Sequence, residues 1–496
     1  MVSLSNHEAP TPRRKNIMTE LHKNLINGEW VSGTASPNIN PSNTNEVIGE
    51  YAQGSVEDTK AAIAAAKAAF PAWARSGILE RHSILRKTAD EILARKEELG
   101  KLLSREEGKT LAEGIGEVTR AGQIFDFFAG EALRLSGEIL PSVRSGVGVE
   151  MTREPIGVIG LITPWNFPIA IPSWKMAPAL CYGNTVVIKP ADLVPGCTWA
   201  VVDILHRNGL PKGVLNLVMG RGSVVGQAML DSPDVRGLSF TGSVGTGKRV
   251  AAASIAVNRK FQLEMGGKNP TVVLDDADLK VAVESVAQSA FYSTGQRCTA
   301  TSRVIVTEGI HDAFVAALAD RIRNLKVGDA IEKGTEIGPV VDPSQLKQDT
   351  DYIEIGKKEG AKLVVGGDVV VRDNPGYFLQ PALFTEVHNQ MRIAREEIFG
   401  PVLGVIRVKN YEEALATAND TEFGLSSGIV TTSLKYATHF KRNAEAGMVM
   451  VNVPTAGVDF HVPFGGSKAS SFGAREQGKY AAEFFTTVKT AYTAAG

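Results

Sequence analysis

The sequence predicts an α/β protein with two successive domains, each built on a parallel β-sheet. Three observations carry that prediction. From Gly157 onward, short apolar runs alternate with helical segments, the pattern of right-handed βαβ units. The runs TVVIK and VLNLVM are continuously apolar, as strands covered on both faces are. The series then starts afresh at TVVLDD, and 496 residues are enough for two or three separate cores.

Helices come first along the chain. VEDTKAAIAAAKAAFPAWA and ERHSILRKTADEILARKEELGKLLSREEGK place apolar residues three and four apart, and a third such pattern runs from about Ile115 to Leu133. The first alternating series pairs the strand VIGLIT with the helix PSWKMAPALCYG, NTVVIKP with TWAVVDILHRNG, and VLNLVMG with SVVGQAMLDS. VRGLSF then leads through a Gly-rich turn into GKRVAAASIA, and KFQLEMGG closes the series near Met265-Gly266-Gly267. The second series runs through TVVLDD, the helix LKVAVESVAQSAFY, the strand TSRVIVTE and the helix HDAFVAALADRIRNLKVG, and resumes past Gly400 with VLGVIRV and EEALATAND. The tail YAAEFFTTVKTAYTAAG, rich in aromatic and β-branched residues, predicts a strand that pairs with the first domain or with another subunit.

Composition narrows the function classes. An apolar fraction of 43% and a charged fraction of 22% are those of a globular protein. A net charge of -1 argues against a dedicated nucleic-acid binder, and no apolar run is long enough to span a bilayer. Three cysteines, Cys181, Cys197 and Cys298, support neither a disulfide framework nor a metal site and fit the reducing cytoplasm. The N-terminus lacks an apolar core, so it does not read as a secretory signal. Residues 1–17, with Arg13-Arg14-Lys15, are expected to form a solvated leader, and Met18 is an alternative start.

A lone cysteine is usually a buried structural residue, and Cys181 in PALCYGN and Cys197 in PGCTW read that way. Cys298 differs, because Gln296, Arg297, Thr299 and Thr301 surround it with polar company. A reactive thiol calls for a depressed pKa, partial exposure and nearby donors; Arg297 or a following helix N-terminus are the candidate sources of positive potential. Taken singly, Glu264 reads as a strand-end carboxylate and Asn166 as a turn-capping side chain. A Gly-rich turn by itself is weak evidence for a phosphate site.

Seven segments together say more: ITPWNFP (162–168), IKPAD (188–192), FTGSVGTG (240–247), LEMGGKNP (263–270), GQRC (295–298), EEIFGPV (396–402) and VPFGG (462–466). In this order they resemble the aldehyde dehydrogenase superfamily, and the resemblance extends from NGEW near residue 30 to the C-terminal VKTAY. It implies two Rossmann-type parallel-sheet domains and a small β oligomerisation flap. Residues 18–137 and 157–265 would form the dinucleotide-binding domain and 266–470 the catalytic domain. Residues 138–156 and 471–496 would form the flap of a homodimer or homotetramer.

The same resemblance implies roles. Cys298 attacks the aldehyde carbonyl, while the Asn166 side-chain amide and the Cys298 backbone N–H hold the oxyanion. Hydride leaves for the nicotinamide, and Glu264 activates water against the resulting thioester. The cofactor, NADP or NAD, lies across the carboxyl ends of the first sheet. Lys189 and Asp192 address its adenine ribose; Gly242, Ser243 and Gly247 let the backbone approach the pyrophosphate. Glu397 and Phe399 serve the nicotinamide half, and Trp165 and Ile162 line the cleft. Asp192 is one methylene shorter than the Glu of NAD-selective relatives, which leaves room for a 2′-phosphate beside Lys189; NADP is therefore expected to be accepted and slightly favoured.

Within the superfamily, FGAREQGKYAAEFFTTVKTAY and GQRCTATSR resemble the α-ketoglutaric semialdehyde dehydrogenases. This implies oxidation of 2,5-dioxopentanoate to 2-oxoglutarate, and a small-molecule aldehyde carrying a carboxylate calls for an arginine. Arg120 shares a helical face with Gly116, Ile124 and Phe127. It either borders the substrate tunnel, or snorkels to the surface or pairs with Glu117. Arg297 is the second candidate. Ile171, Trp174, Tyr292 and Phe464 are expected in the apolar walls, together with Ile169, Ala170, Phe291 and Phe460. Succinic semialdehyde and broad aliphatic aldehydes are the alternative substrates. Tyr292, where many succinic semialdehyde dehydrogenases carry Arg, counts against the first. A thiol hydrolase leaves the cofactor segments unexplained, and a non-enzymatic structural protein has no need of Cys298, Glu264, Asn166 and Lys189 together.

Overall fold

The computed structural model describes residues 20–494; the expected leader, residues 1–17, lies outside them. Five parallel strands form the middle of the first sheet, in the spatial order Lys260–Glu264, Val235–Thr241, Val158–Ile162, Thr185–Lys189 and Leu215–Leu217. The chain enters at the central strand, builds outward in one direction, then returns to lay Val235–Thr241 on the other side. That reversal opens a crevice at the carboxyl ends, where open α/β sheets bind their ligands. Ile162 pairs with Lys189, and Thr241 with Glu264, so these ends are level.

Helices cover the sheet. The Leu111–Ala132 helix starts at a capping box in which the Thr110 backbone N–H donates to Glu113 Oε2 at 3.1 Å. Val118, Ala121, Ile124, Phe125, Phe128 and Ala129 recur at helical spacing and are all buried; each phenylalanine so placed contributes roughly 1.5–3 kcal/mol of burial. Against it lies the Ala170–Cys181 helix, in which every residue is buried. Cys181 and Cys197 are core residues.

After Glu264 the chain crosses through Met265–Lys268 into Asn269–Val273, a strand of the second sheet. The order there is Lys362–Val365, Ala382–Thr385, Val402–Val408, Thr301–Thr307, Asn269–Val273, Ser426–Val430 and Met448–Val451, parallel except for the first. The crossover is tight: a Cβ on Gly266 would lie 1.9 Å from the Glu397 carboxylate, so any side chain there would displace Glu397.

A third, antiparallel sheet joins Glu138–Pro141, Val147–Pro155 and the tail strand Thr486–Ala494, with Thr486 opposite Pro155 and Ala494 opposite Val147. Ile139, Val143, Val488 and Tyr492 stand exposed on this unit. The tail's share of it is shorter than the expected 471–496. Ser471–Phe472 instead pairs antiparallel with Lys260–Glu264 at the edge of the first sheet. Ala481, Ala482, Phe484 and Phe485 fill the first core, where burial of two phenylalanines outweighs an extended path along the flap. No helix of the described residues is long and apolar enough to cross a membrane.

Candidate active site

Two clefts meet at Cys298. One, about 820 Å³, is lined by Lys109, Glu117, Arg120, Trp174, Arg297 and Phe464 among others. The other, about 760 Å³, is lined by Trp165, Asn166, Gly242, Ser243, Glu397 and Phe399 among others. Cys298 lines both, so a molecule in either reaches the same sulfur.

The nucleophile loop is fixed by its backbone. The Asn269 side-chain amide donates to the carbonyls of Cys298 and Ala300 at 2.7 and 2.9 Å. Ser293 and Thr294 adopt left-handed φ values of 53° and 56°, a strained conformation for a β-branched residue. Glu113 Oε1 accepts from the Ser293 N–H at 2.8 Å and its hydroxyl at 3.0 Å, and the Thr294 hydroxyl donates to the Gly338 carbonyl at 3.1 Å. Asn166 Nδ2 donates to the Gln296 carbonyl at 3.1 Å, which sets the expected oxyanion donor beside the loop and leaves its second N–H free.

The Cys298 thiol is not depressed at rest. Burial and the carboxylates of Glu264 and Glu397 push it up to about 12, against the backbone N–H groups of Thr299 and Cys298, which favour the thiolate. Arg297, the expected source of positive potential, lines the cavity, but its guanidinium donates to the carbonyls of Gln288 and Ser289. It caps the last turn of the Leu279–Phe291 helix. The sulfur therefore needs a base to take its proton.

Glu264 ends its strand opposite Ser471, whose hydroxyl donates to Oε2 at 2.5 Å. Burial, and then the charge of Glu476, raise its pKa well above the carboxylate range, against Ser471, Lys175 and Arg475. Glu476 is itself buried, paired with Lys175, and accepts from Trp174 Nε1 at 2.6 Å.

The second cleft fits a dinucleotide. Ser243 caps the Val244–Ile255 helix, accepting from the Thr246 N–H at 3.4 Å. The first-turn N–H groups of Val244 and Gly245 have no acceptor within the helix and suit a phosphate. The Thr241 hydroxyl beside them is buried without a partner, and Gly247 is buried one turn on. Lys189 Nζ is buried at the carboxyl end of its strand and donates to Asp192 Oδ1 at 3.3 Å; burial lowers its pKa and Asp192 opposes this. Ile162 is half-buried at the neighbouring strand end. Glu397 accepts from the Gly267 N–H at 2.9 Å, and the Trp165 and Phe399 rings meet edge to face at 5.4 Å.

In the first cleft Arg120 takes the inner of its two expected positions. Its Nη2 donates to Gln477 Oε1 at 3.0 Å, its Cζ lies 5.4 Å from the Trp174 ring, and its Nε is buried without a partner. Glu117 pairs with Lys109 at 2.8 Å instead. Trp174 and Phe464 form a tilted pair at 5.4 Å in the wall. Ile171 and Tyr292 are not part of that wall. Ile171 belongs to the first core, and the Tyr292 hydroxyl accepts from Arg321 Nη2 at 3.4 Å. In a helix buried all round, sequence period does not tell cavity from core, and Tyr292 caps a helix whose chain then turns away. Lys109, Ser293, Val458 and Gln477 escaped the sequence reading, and Glu117 and Thr299 entered it only as neighbours of Arg120 and Cys298. The one available signal was the capping box Thr110-x-x-Glu113 directly after Lys109.

Comparison with known proteins agrees with this geometry. A model of the aldehyde dehydrogenase family matches residues 30–491. The chain belongs to the aldehyde dehydrogenase family, and it is an oxidoreductase acting on an aldehyde with a nicotinamide dinucleotide. It is 46% identical to α-ketoglutaric semialdehyde dehydrogenase of Bacillus subtilis (strain 168), over 95% of this chain and 97% of that one. It is 44% identical to α-ketoglutarate semialdehyde dehydrogenase of Haloferax volcanii, over 96% and 99% of the two chains. Among solved structures, betaine aldehyde dehydrogenase of Staphylococcus aureus in complex with NAD+ superposes with a TM-score of 0.93 at 35% identity, over 95% of this chain and 94% of that one. An NADP-dependent enzyme of Escherichia coli gives 0.92 at 35% identity, over 96% and 98%.

Proposed function

We propose that this enzyme oxidises α-ketoglutaric semialdehyde (2,5-dioxopentanoate) to 2-oxoglutarate. The observation that carries the reading is Arg120, a cation at the wall of the aldehyde cleft that has no carboxylate partner among the described residues. Gln477 holds it with a neutral oxygen, so its charge remains available. The names of the two semialdehyde relatives point the same way.

The proposed roles follow from the site. The Cys298 thiol gives its proton to Glu264 as Sγ bonds to the aldehyde carbon. The carbonyl oxygen becomes an oxyanion held by Asn166 Nδ2 and the Cys298 backbone N–H. A bound nicotinamide supplies the two-electron acceptor that makes this an oxidation. Glu264 passes the thiol's proton to solvent and, ionised again, takes a proton from water, whose oxygen attacks the thioester; the carbon–sulfur bond breaks, the acid departs, and the proton on Glu264 returns to the sulfur. Lys189 and Asp192 hold the adenine ribose, Gly242, Ser243 and Gly247 admit the pyrophosphate, and Glu397 and Phe399 orient the nicotinamide half, with Trp165 and Ile162 as walls. The short Asp192 carboxylate leaves Lys189 able to meet a 2′-phosphate, so NADP is accepted and slightly favoured. The three-stranded unit with its exposed apolar residues is the flap of a homo-oligomer working in the cytoplasm.

Initial rates with 2,5-dioxopentanoate, succinic semialdehyde and propanal, each with NAD and NADP, test the reading. The dioxo acid is expected to give the highest kcat/KM. A win for propanal removes the carboxylate site, a win for succinic semialdehyde shifts the substrate, and strict NAD dependence removes the reading of Asp192.

A further inference from the structure

We propose that Lys109, paired with Glu117, is a positioning residue that sets the Asn166 amide against Cys298. The inference rests on the reading of Asn166 as the oxyanion donor. Lys109 Nζ donates to the Asn166 backbone carbonyl at 2.7 Å and to Glu117 Oε2 at 2.8 Å. It also lies 3.8 Å from the centroid of the next ring along, Phe167. Glu117 Oε1 accepts from the backbone N–H groups of Ile169 and Ala170 at 3.1 and 3.0 Å. One buried ion pair thus grips the 166–170 loop along its length, from its first carbonyl to the entry of the Ala170–Cys181 helix.

The other end of the same device holds the nucleophile. Glu113, one turn before Glu117, accepts from the backbone N–H and hydroxyl of Ser293 in the left-handed turn that precedes Cys298. The start of a single helix therefore grips both loops, and Asn166 Nδ2 closes the gap between them at the Gln296 carbonyl. Burial alone does not require this arrangement. A buried ion pair is commonly no more stabilising than apolar side chains of the same volume, whereas a donor aimed at a developing charge must be held to a fraction of an ångström. Lys109 and Glu117 are 2% and 5% exposed, yet both border the aldehyde cleft. The carboxylates of Glu107 and Glu117 outweigh the effect of burial on Lys109 and keep it an ammonium.

The test is a double-mutant cycle. In Lys109→Met/Glu117→Gln the net charge is unchanged, and the amide oxygen introduced by Glu117→Gln can still accept from Ile169 and Ala170; the grip on the Asn166 carbonyl is lost, together with the contact over Phe167 and the 3.9 Å approach to Glu107. This variant, Asn166→Ala, and the combination of all three substitutions are compared in kcat for 2,5-dioxopentanoate and for propanal, and in the rate of Cys298 alkylation by iodoacetamide, which needs no oxyanion donor. The clamp variant is expected to lose about 100-fold in kcat, the scale of one oxyanion donor, with alkylation within about twofold of wild type. Adding Asn166→Ala is expected to cost no more than about threefold further, because both changes remove one donor. If Asn166→Ala alone is slow but the two losses multiply, the positioning role is overturned while the oxyanion reading stands. If Asn166→Ala alone runs at the wild-type rate, both fall. Wild-type kcat in the clamp variant, or alkylation falling in step with kcat, also overturns the proposal. Should the clamp variant not fold, Lys109→Arg, which keeps a buried cation but displaces its donors, enters the same cycle under the same criteria.

Discussion

Replacing Arg120 by methionine should separate aldehydes by charge. The arginine commits Nη2 to Gln477 at 3.0 Å and stacks 5.4 Å from the Trp174 ring, which leaves Nη1, without a hydrogen-bond partner among the described residues, for a ligand. Charge-assisted hydrogen bonds contribute about 1.5–3 kcal/mol. A unit-charge pair 4 Å apart at an effective dielectric of 20 attracts by about 4 kcal/mol before the carboxylate's lost hydration is subtracted. A net contribution of about 2–3 kcal/mol is consistent with both, and at about 1.4 kcal/mol per decade it is roughly a 30- to 150-fold loss in kcat/KM. The anchor is remote from the reacting carbon and is made equally in ground and transition states, so the loss should appear in KM with kcat nearly unchanged. Methionine preserves most of the packing on Trp174, so propanal should change by no more than about threefold. Initial rates of cofactor reduction measure all of this. An equal loss for propanal, or an unchanged KM for 2,5-dioxopentanoate, would refute the carboxylate anchor.

The site and the flap give four further expected outcomes. Glu264→Gln should suppress both the first equivalent of reduced cofactor and steady turnover, because the base for the thiol and for water is gone; a full burst followed by a stall would remove Glu264 from the activation of Cys298, and steady turnover would remove it from the hydrolytic step. The raised pKa of Glu264 also places an acid limb on the wild-type rate. The group must be ionised to act, so turnover should rise with pH through a value above the ordinary carboxylate range, and a flat profile from about pH 5 to 9 is the contrary result. Cys298, pushed up to about 12, should be alkylated by iodoacetamide at a rate still climbing at about pH 9; a plateau below about pH 8 would mean a thiolate at rest. The pair Val488→Lys and Tyr492→Lys, at exposed positions of the tail strand, should shift the species seen by light scattering toward monomer, and an unchanged mass would put the subunit contact elsewhere.

Much of this was legible in the residues. The alternation from Gly157 announces the first sheet because strands buried on both faces must be continuously apolar. Met265-Gly266-Gly267 marks the crossover because any side chain at Gly266 would displace the Glu397 carboxylate. Cys298, Asn166 and Glu264 stood out through the order of seven short motifs, and the Trp165, Ser243, Glu397 and Phe399 segments through the same order. Local chemistry is enough for these, since a turn, a strand end or a helix cap is decided by a few adjacent residues.

What the sequence by itself determined, then, is the class of fold, the order of its elements and the family, and it singled out the groups proposed to react. The tertiary structure alone decided which charges face one another. Glu117 could have met Arg120 one turn away on its own helix, but a loop brings Lys109 to it, and that leaves Arg120 free for a ligand. Tyr292 and Ile171 looked like cavity walls and face elsewhere, while the 471–485 stretch looked like flap and serves the first domain. Cys298, expected to be acidic, is held as a thiol by burial and then by Glu264 and Glu397, which lie 34 residues before it and 99 after it in the chain. Coulomb energy and desolvation depend on distance in space and on burial, and neither is a property of neighbours in sequence.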